Sequence, residues 1–211
     1  MNHQEQALLH AGTALADADV AVIMMHGRGA SAEGILGLSA QLPQGGVAYL
    51  APQAANHSWY PNSGFGPIES NEPWVSSAFQ VLHTLLDQIA EAGIPPEKTV
   101  IGGFSQGACL SSEYVARHAW RYGGLYVLSG ALMGPLDMTR SYEGSLDNTP
   151  VYFGGIDQDP WVSEAQMRMS ADALQQLDAD VMIEIRPGSQ HTVRDYEVAR
   201  VHDMISALVT A

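Results

Sequence analysis

The most constraining stretch of this chain is Thr99-Val100-Ile101-Gly102-Gly103-Phe104-Ser105-Gln106-Gly107-Ala108-Cys109-Leu110, where a β-branched run meets Gly-x-Ser-x-Gly and passes directly into helix formers. Glycines two places either side of a serine suit a sharp strand-to-helix turn, because a Cβ at either position would collide with neighbouring backbone. Such a turn lifts the Ser105 hydroxyl into solvent. The following helix aims its N-terminal N–H groups and positive dipole end at the charge that forms when a serine attacks a carbonyl. The stretch therefore predicts a nucleophile elbow. In a chain with 21 glycines the five-residue pattern is weak evidence by itself, so its context has to carry the reading.

That context is a regular alternation of strands and helices. Residues up to Asp19 are weakly patterned, with an edge hairpin strand expected around Ala7–Leu9 or Thr13–Leu15. Val20–Met25 is an unbroken apolar run, as expected for a strand covered on both faces, with Met24 and Met25 in the core. Ser31 offers an N-cap, with Glu33 in the first turn of a helix running to about Leu42 before Pro43. Val47–Leu50 is the next strand. Val75, Ala78, Phe79, Leu82, Leu85, Leu86 and Ile89 recur at helical spacing and end near Gly93 and Pro95-Pro96. Beyond the elbow helix, Gly124–Ser129, Pro150–Gly154 and Val181–Arg186 read as strands, and Val162–Leu177 and Val193–Leu208 as helices. The alternation implies right-handed crossovers and one α/β domain over residues 1–211, with a doubly wound, mostly parallel sheet and helices on both faces.

Composition narrows the function. With 46% hydrophobic and 15% charged residues the chain has a large core and a thin charged shell. A formal charge of -14, with Lys98 the only lysine, repels phosphate backbones and anionic lipid headgroups, so neither nucleic acid nor stable membrane association is expected. The single cysteine, Cys109, allows no internal disulfide and fits a reducing, cytoplasmic location. It falls one helical turn beyond Ser105, where a small packing residue is expected. No secretion signal or membrane span is expected. The acids outside the site are expected on the solvated surface, Glu69 and Glu72 among them.

In such sheets, ligands bind beyond the carboxyl ends of the strands. The turns there carry His26-Gly27-Arg28-Gly29, then Ser105, then Asp157 and Asp159, then His191. A serine hydroxyl is a poor nucleophile until an imidazole takes its proton, and the imidazole needs a carboxylate to fix its tautomer and stabilise its cation. Ser105 and His191 fit the first two roles. For the third, Asp157 and Asp159 are both candidates, since Asp159 before Pro160 also suits a helix cap. Oxyanion donors are expected from the backbone N–H groups of Gln106 and Arg28, while His26 is expected to brace its turn. The histidines show no metal-ligand spacing, so no metal or cofactor is expected.

The segments HGRG, GFSQGA, DQDPWV and PGSQHT resemble, in order and over nearly the whole chain, the carboxylesterase and acyl-protein thioesterase (phospholipase/carboxylesterase) branch of the α/β-hydrolases. The resemblance implies a lid-poor serine hydrolase of esters or thioesters without cofactor. It assigns Ser105 as nucleophile, Asp159 as acid, His191 as base, and the Arg28 and Gln106 amides as the oxyanion hole. One departure is Ser163 after Val162, where these enzymes often have proline.

The Pro- and aromatic-rich loop between Pro52 and Pro73 carries Trp59, Tyr60 and Phe65, with Trp74 directly after it and Trp161 two residues past Asp159, and these rings are expected to wall the substrate site. Crowding by those rings favours small-molecule esters of short to medium chain or aryl type. The alternatives are a lysophospholipase or acyl-protein thioesterase, and a binding protein that keeps the fold without its chemistry. A homodimer is compatible with the sequence.

Overall fold

The structure, a computed structural model, describes residues 2–209. Seven strands form one sheet in the order β1-β3-β2-β4-β5-β6-β7. β1 (Leu8–Gly12) runs antiparallel to β3 (Val47–Pro52) at one edge, so the edge strand overlaps the first expected position, Ala7–Leu9, extends to Gly12 and stops short of the second. All other pairings, through β2 (Val20–Met25), β4 (Thr99–Phe104), β5 (Gly124–Leu128), β6 (Pro150–Ile156) and β7 (Asp180–Arg186), are parallel. β4 is the central strand. Its C-terminal end is flanked by the ends of β2 and β5, so whatever follows β4 meets the turns after both.

Helices cover both faces, because residues alternate sides along each buried strand. On one face α2 (Trp74–Glu91), α3 (Gln106–Arg117) and α4 (Glu164–Gln175) pack Leu82, Leu85, Leu110, Met167 and Leu174 against Ile23, Ile101 and Phe153. On the other, α1 (Ala32–Leu36) and α5 (Asp195–Val209) set Ile35, Val198, Val201 and Ile205 against Val22, Val100 and Tyr126. Each such buried aliphatic side chain stabilises the fold by roughly 1.5–3 kcal/mol relative to exposure. α1 is shorter than expected: after one α-turn capped by Ser31, residues 37–41 tighten into a 3-10 helix. α4 also starts later than expected, at Glu164. Ser163 is its N-cap, in a reciprocal capping box with Gln166, which gives the departure from the family's proline a structural use.

Candidate active site

Ser105 lies between β4 and α3 with φ 55 and ψ -118, a conformation that a non-glycine residue adopts at a cost on the order of 1–3 kcal/mol. The strain is held by packing on both sides. A Cβ on Gly103 or on Gly107 would lie 2.3 Å from the Met25 carbonyl oxygen, so only glycine lets β4 and α3 approach the end of β2. The Ser105 N–H donates to the Leu128 carbonyl at 2.9 Å, which ties the turn to β5.

The structure brings Ser105, His191 and Asp159 together. His191 Nε2 lies 2.8 Å from Ser105 Oγ, and its Nδ1 lies 2.8 and 3.0 Å from the two carboxylate oxygens of Asp159. A carboxylate only accepts, so Nδ1 carries the imidazole proton and Nε2 keeps its lone pair toward the serine hydroxyl. The Asp159 side chain is almost fully buried, and its Oδ1 also accepts from the N–H groups of Trp161 and Val162 at 2.9 and 3.1 Å. Asp159 is thus both the imidazole's partner and the brace of its own turn. Asp157 faces elsewhere: its Oδ1 accepts the Gly188 N–H at 2.9 Å and so anchors the loop that carries His191. The Phe104 ring rests against the imidazole with centroids 4.8 Å apart.

The turn after β2 closes on the same point. A Cβ on Gly27 would lie 3.3 Å from Ser105 Cβ, so this turn runs directly past Ser105. His26 braces it, with Nδ1–H donating to the Gly27 carbonyl at 2.8 Å and Nε2 accepting the Ala54 N–H at 3.0 Å. Burial holds its pKa below the usual histidine value, which keeps it neutral and able to accept. The Arg28 guanidinium donates to the carbonyls of Pro61, at 2.6 Å, and Asn62, so it straps the loop after β3 to the turn. Gln106 opens α3, so its N–H has no acceptor one helical turn earlier. Its buried side chain accepts the Trp59 N–H at 2.8 Å and donates to the Tyr60 carbonyl at 2.8 Å.

A cavity of about 540 Å³ opens beside Ser105, and Tyr60, Phe65 and Trp161 are among its walls, together with Arg28, Gln106, His191 and residues 61–64. Trp161 is 72% exposed at its mouth. Two of the expected wall rings are elsewhere. Trp59 is fully buried beneath the loop, with Nε1 donating to the His26 carbonyl at 2.9 Å, because Gln106 grips the backbone on either side of it and turns the ring inward. Trp74 begins α2, where it is partly buried and packs against the core. Cys109 packs as expected but also lines the cavity; its Sγ accepts the Ala131 N–H at 3.4 Å, and burial pushes its thiol up to about 11. Buried Asn71, not foreseen, shapes the wall by accepting from Asn62 N–H and donating to the Ser63 carbonyl.

Not every other acid is solvated. Glu113 is buried, accepting from Arg117 at 2.7 Å and from the Met133 N–H and Tyr142 hydroxyl at 3.1 Å. Glu197 is fully buried in α5, and one of its oxygens has no hydrogen-bond partner among the described residues. Burial pushes the Glu197 carboxyl up from 4.5 to about 7. A carboxyl raised by folding holds its proton longer in the native state, so its contribution to stability is complete below about pH 4.5 and is lost as the pH rises through about 7. In urea titrations the stability of Glu197→Gln relative to wild type is expected to improve by about 3 kcal/mol between pH 4 and pH 8. A difference that stays flat with pH refutes the shift.

Comparison with known proteins agrees with this architecture. A crystal structure of a phospholipase/carboxylesterase from Dyadobacter fermentans superposes with a TM-score of 0.91 at 34% identity, covering 98% of this chain and 99% of that one. The carboxylesterase of Bacillus cereus, at 16% identity and a TM-score of 0.75, covers 97% of this chain and 95% of its own and shares the fold. Acyl-protein thioesterase 1 of Gibberella zeae is 31% identical over 122 residues, which are 56% of this chain. The chain spans about half the length of that relative, 52%. No helix among the described residues is long and apolar enough to cross a membrane. The phospholipase/carboxylesterase family model matches residues 14–209, from the first turn after β1 to the end of α5, and with the α/β-hydrolase sheet and its elbow in place the chain belongs to that family.

Proposed function

We propose that this protein is a serine hydrolase of carboxylic esters, working through an acyl-enzyme on Ser105. The single observation that carries the reading is the continuous hydrogen-bonded line from Asp159 through His191 to Ser105 Oγ at the strained turn. As Oγ attacks the ester carbonyl, His191 Nε2 takes the hydroxyl proton, and Asp159 stabilises the imidazolium. The N–H groups of Gln106 and Arg28 face the oxyanion of the tetrahedral intermediate. His191 then passes its proton to the departing alcohol, and water repeats the sequence to release the acid. Nucleophile, base and oxyanion donors all come from the chain's own residues. A fluorophosphonate probe tests the assignment, since it should label wild type and spare Ser105→Ala.

The cavity supports small-molecule esters of short to medium chain, aryl esters included. Tyr60, Phe65 and Trp161 crowd its walls beside Ser105, which limits the length of acyl chain it can hold. In an open apolar groove each further buried methylene would add about 0.8 kcal/mol of favourable transfer, and activity would climb steadily with length. Here kcat/KM across p-nitrophenyl esters from acetate to palmitate is expected to peak at short to medium chains. A maximum at the longest monomeric chain, or faster turnover of a lysophospholipid than of the butyrate, transfers the reading to a lysophospholipase or acyl-protein thioesterase. The thioesterase reading is supported by relatives named for that activity, that of Gibberella zeae among them.

A further inference from the structure

Arg194 immediately precedes the first residue of α5, at a position where its charge faces the positive end of the helix dipole and where Ser, Thr, Asp or Asn would serve the helix better. Its side chain has a different use. One guanidinium nitrogen donates to the Thr192 carbonyl at 2.9 Å and the other to the Gln190 carbonyl, so a single planar fork holds the two carbonyls that bracket His191. Behind it stands Glu197. One of its oxygens accepts the Arg194 N–H at 2.8 Å, and the other lies 3.8 Å from the guanidinium. Glu197 in turn packs on Gly154 of β6, where a Cβ would lie 2.9 Å from its Oε1. β6 is the strand that leads into the Asp159 turn.

From this arrangement we infer that Arg194, seated on Glu197, is a positioning residue that clamps the His191 loop and holds the imidazole between Asp159 and Ser105. The role rests on the hydrolase reading above. The loop is anchored on its other side by Gly188, through Asp157 and Gln158, so the clamp supplies the missing restraint on the C-terminal side of His191. A general base must be held closely, since a shift of about 1 Å in a reacting group can lower a rate on the order of 100-fold. A residue that only ends a helix would affect stability and leave the base alone.

The test compares Arg194→Met, which keeps the stem and removes the fork, with Arg194→Lys, whose single ammonium reaches one carbonyl. On p-nitrophenyl butyrate, Arg194→Met is expected to lower kcat about 10- to 100-fold with KM changed by less than about threefold. Fluorophosphonate labelling of Ser105 should slow in parallel, the lysine variant should regain part of the rate, and the downfield Nδ1–H proton resonance of His191 should broaden. Wild-type kcat in a folded Arg194→Met overturns the role. So does a loss that tracks melting temperature and is not relieved by lysine. If Arg194→Met does not fold, Glu197→Gln assayed at pH 8, above the raised Glu197 value, replaces it, because glutamine still accepts the Arg194 N–H but withdraws the charge behind the fork. A drop in its kcat at constant KM supports the clamp, and an unchanged kcat refutes it. Wild type that takes up no probe at Ser105 is a separate outcome, which removes the hydrolase reading itself.

Discussion

Ser105→Ala is expected to retain the fold and lose nearly all turnover of an activated aryl ester, on the order of 10⁶ in kcat. In the proposed mechanism the lost oxygen is the atom that forms the acyl bond, and neither His191 nor the backbone donors can replace it. What persists is the modest acceleration that oxyanion donors and binding provide without a nucleophile, roughly 10³–10⁴ over water. The fold should survive because the Ser105 hydroxyl bonds to His191, whereas the turn is held by Gly103 and Gly107 against Met25 and by the Ser105 N–H on Leu128. Steady-state kinetics beside a circular-dichroism melt separate the two effects. Activity within tenfold of wild type, with the fold intact, refutes Ser105 as nucleophile.

The second large effect separates two aspartates that stand two residues apart. Asp159→Asn is expected to lower kcat by about 10³ to 10⁴. With its carbonyl oxygen kept on the N–H groups of Trp161 and Val162, the asparagine turns its NH₂ toward His191 Nδ1, which must then accept. The imidazole proton moves to Nε2, and the group facing Ser105 can no longer take a proton. Asp157→Asn should change kcat by less than about threefold, because a neutral amide oxygen accepts the Gly188 N–H nearly as well as a carboxylate. Purified variants assayed on one ester decide the matter. Equal losses, or a crippled Asp157→Asn, would transfer the acid's role away from Asp159.

Much of this molecule can be read along the chain because its strands and turns answer to local rules. Val20–Met25 must be buried on both faces since it has no polar side, and Gly103 and Gly107 announce a crowded turn at Ser105 through backbone sterics alone. The chain order of Ser105, Asp159 and His191 follows from the same punctuation, each residue lying just past a strand. Partnerships between distant side chains are another matter. Ser105 and His191 are 86 residues apart, and which oxygen of which aspartate meets the imidazole depends on how the turn after β6 coils back on itself. Trp59 and Tyr60 are indistinguishable as wall rings until Gln106, 47 residues from Trp59, grips the Trp59 N–H and the Tyr60 carbonyl on either side of the pair, and one ring turns inward while the other lines the cavity. Arg194 and Glu197 look like an ordinary exposed pair on a helix end, and only the packing of α5 on Gly154 buries the acid and leaves the guanidinium on the carbonyls around His191. Local sequence determined where the backbone turns, since sterics and burial act over a few residues. Tertiary structure alone decided which side chains meet, since hydrogen-bond partners and burial at the site are set by elements that come together only when the sheet is complete.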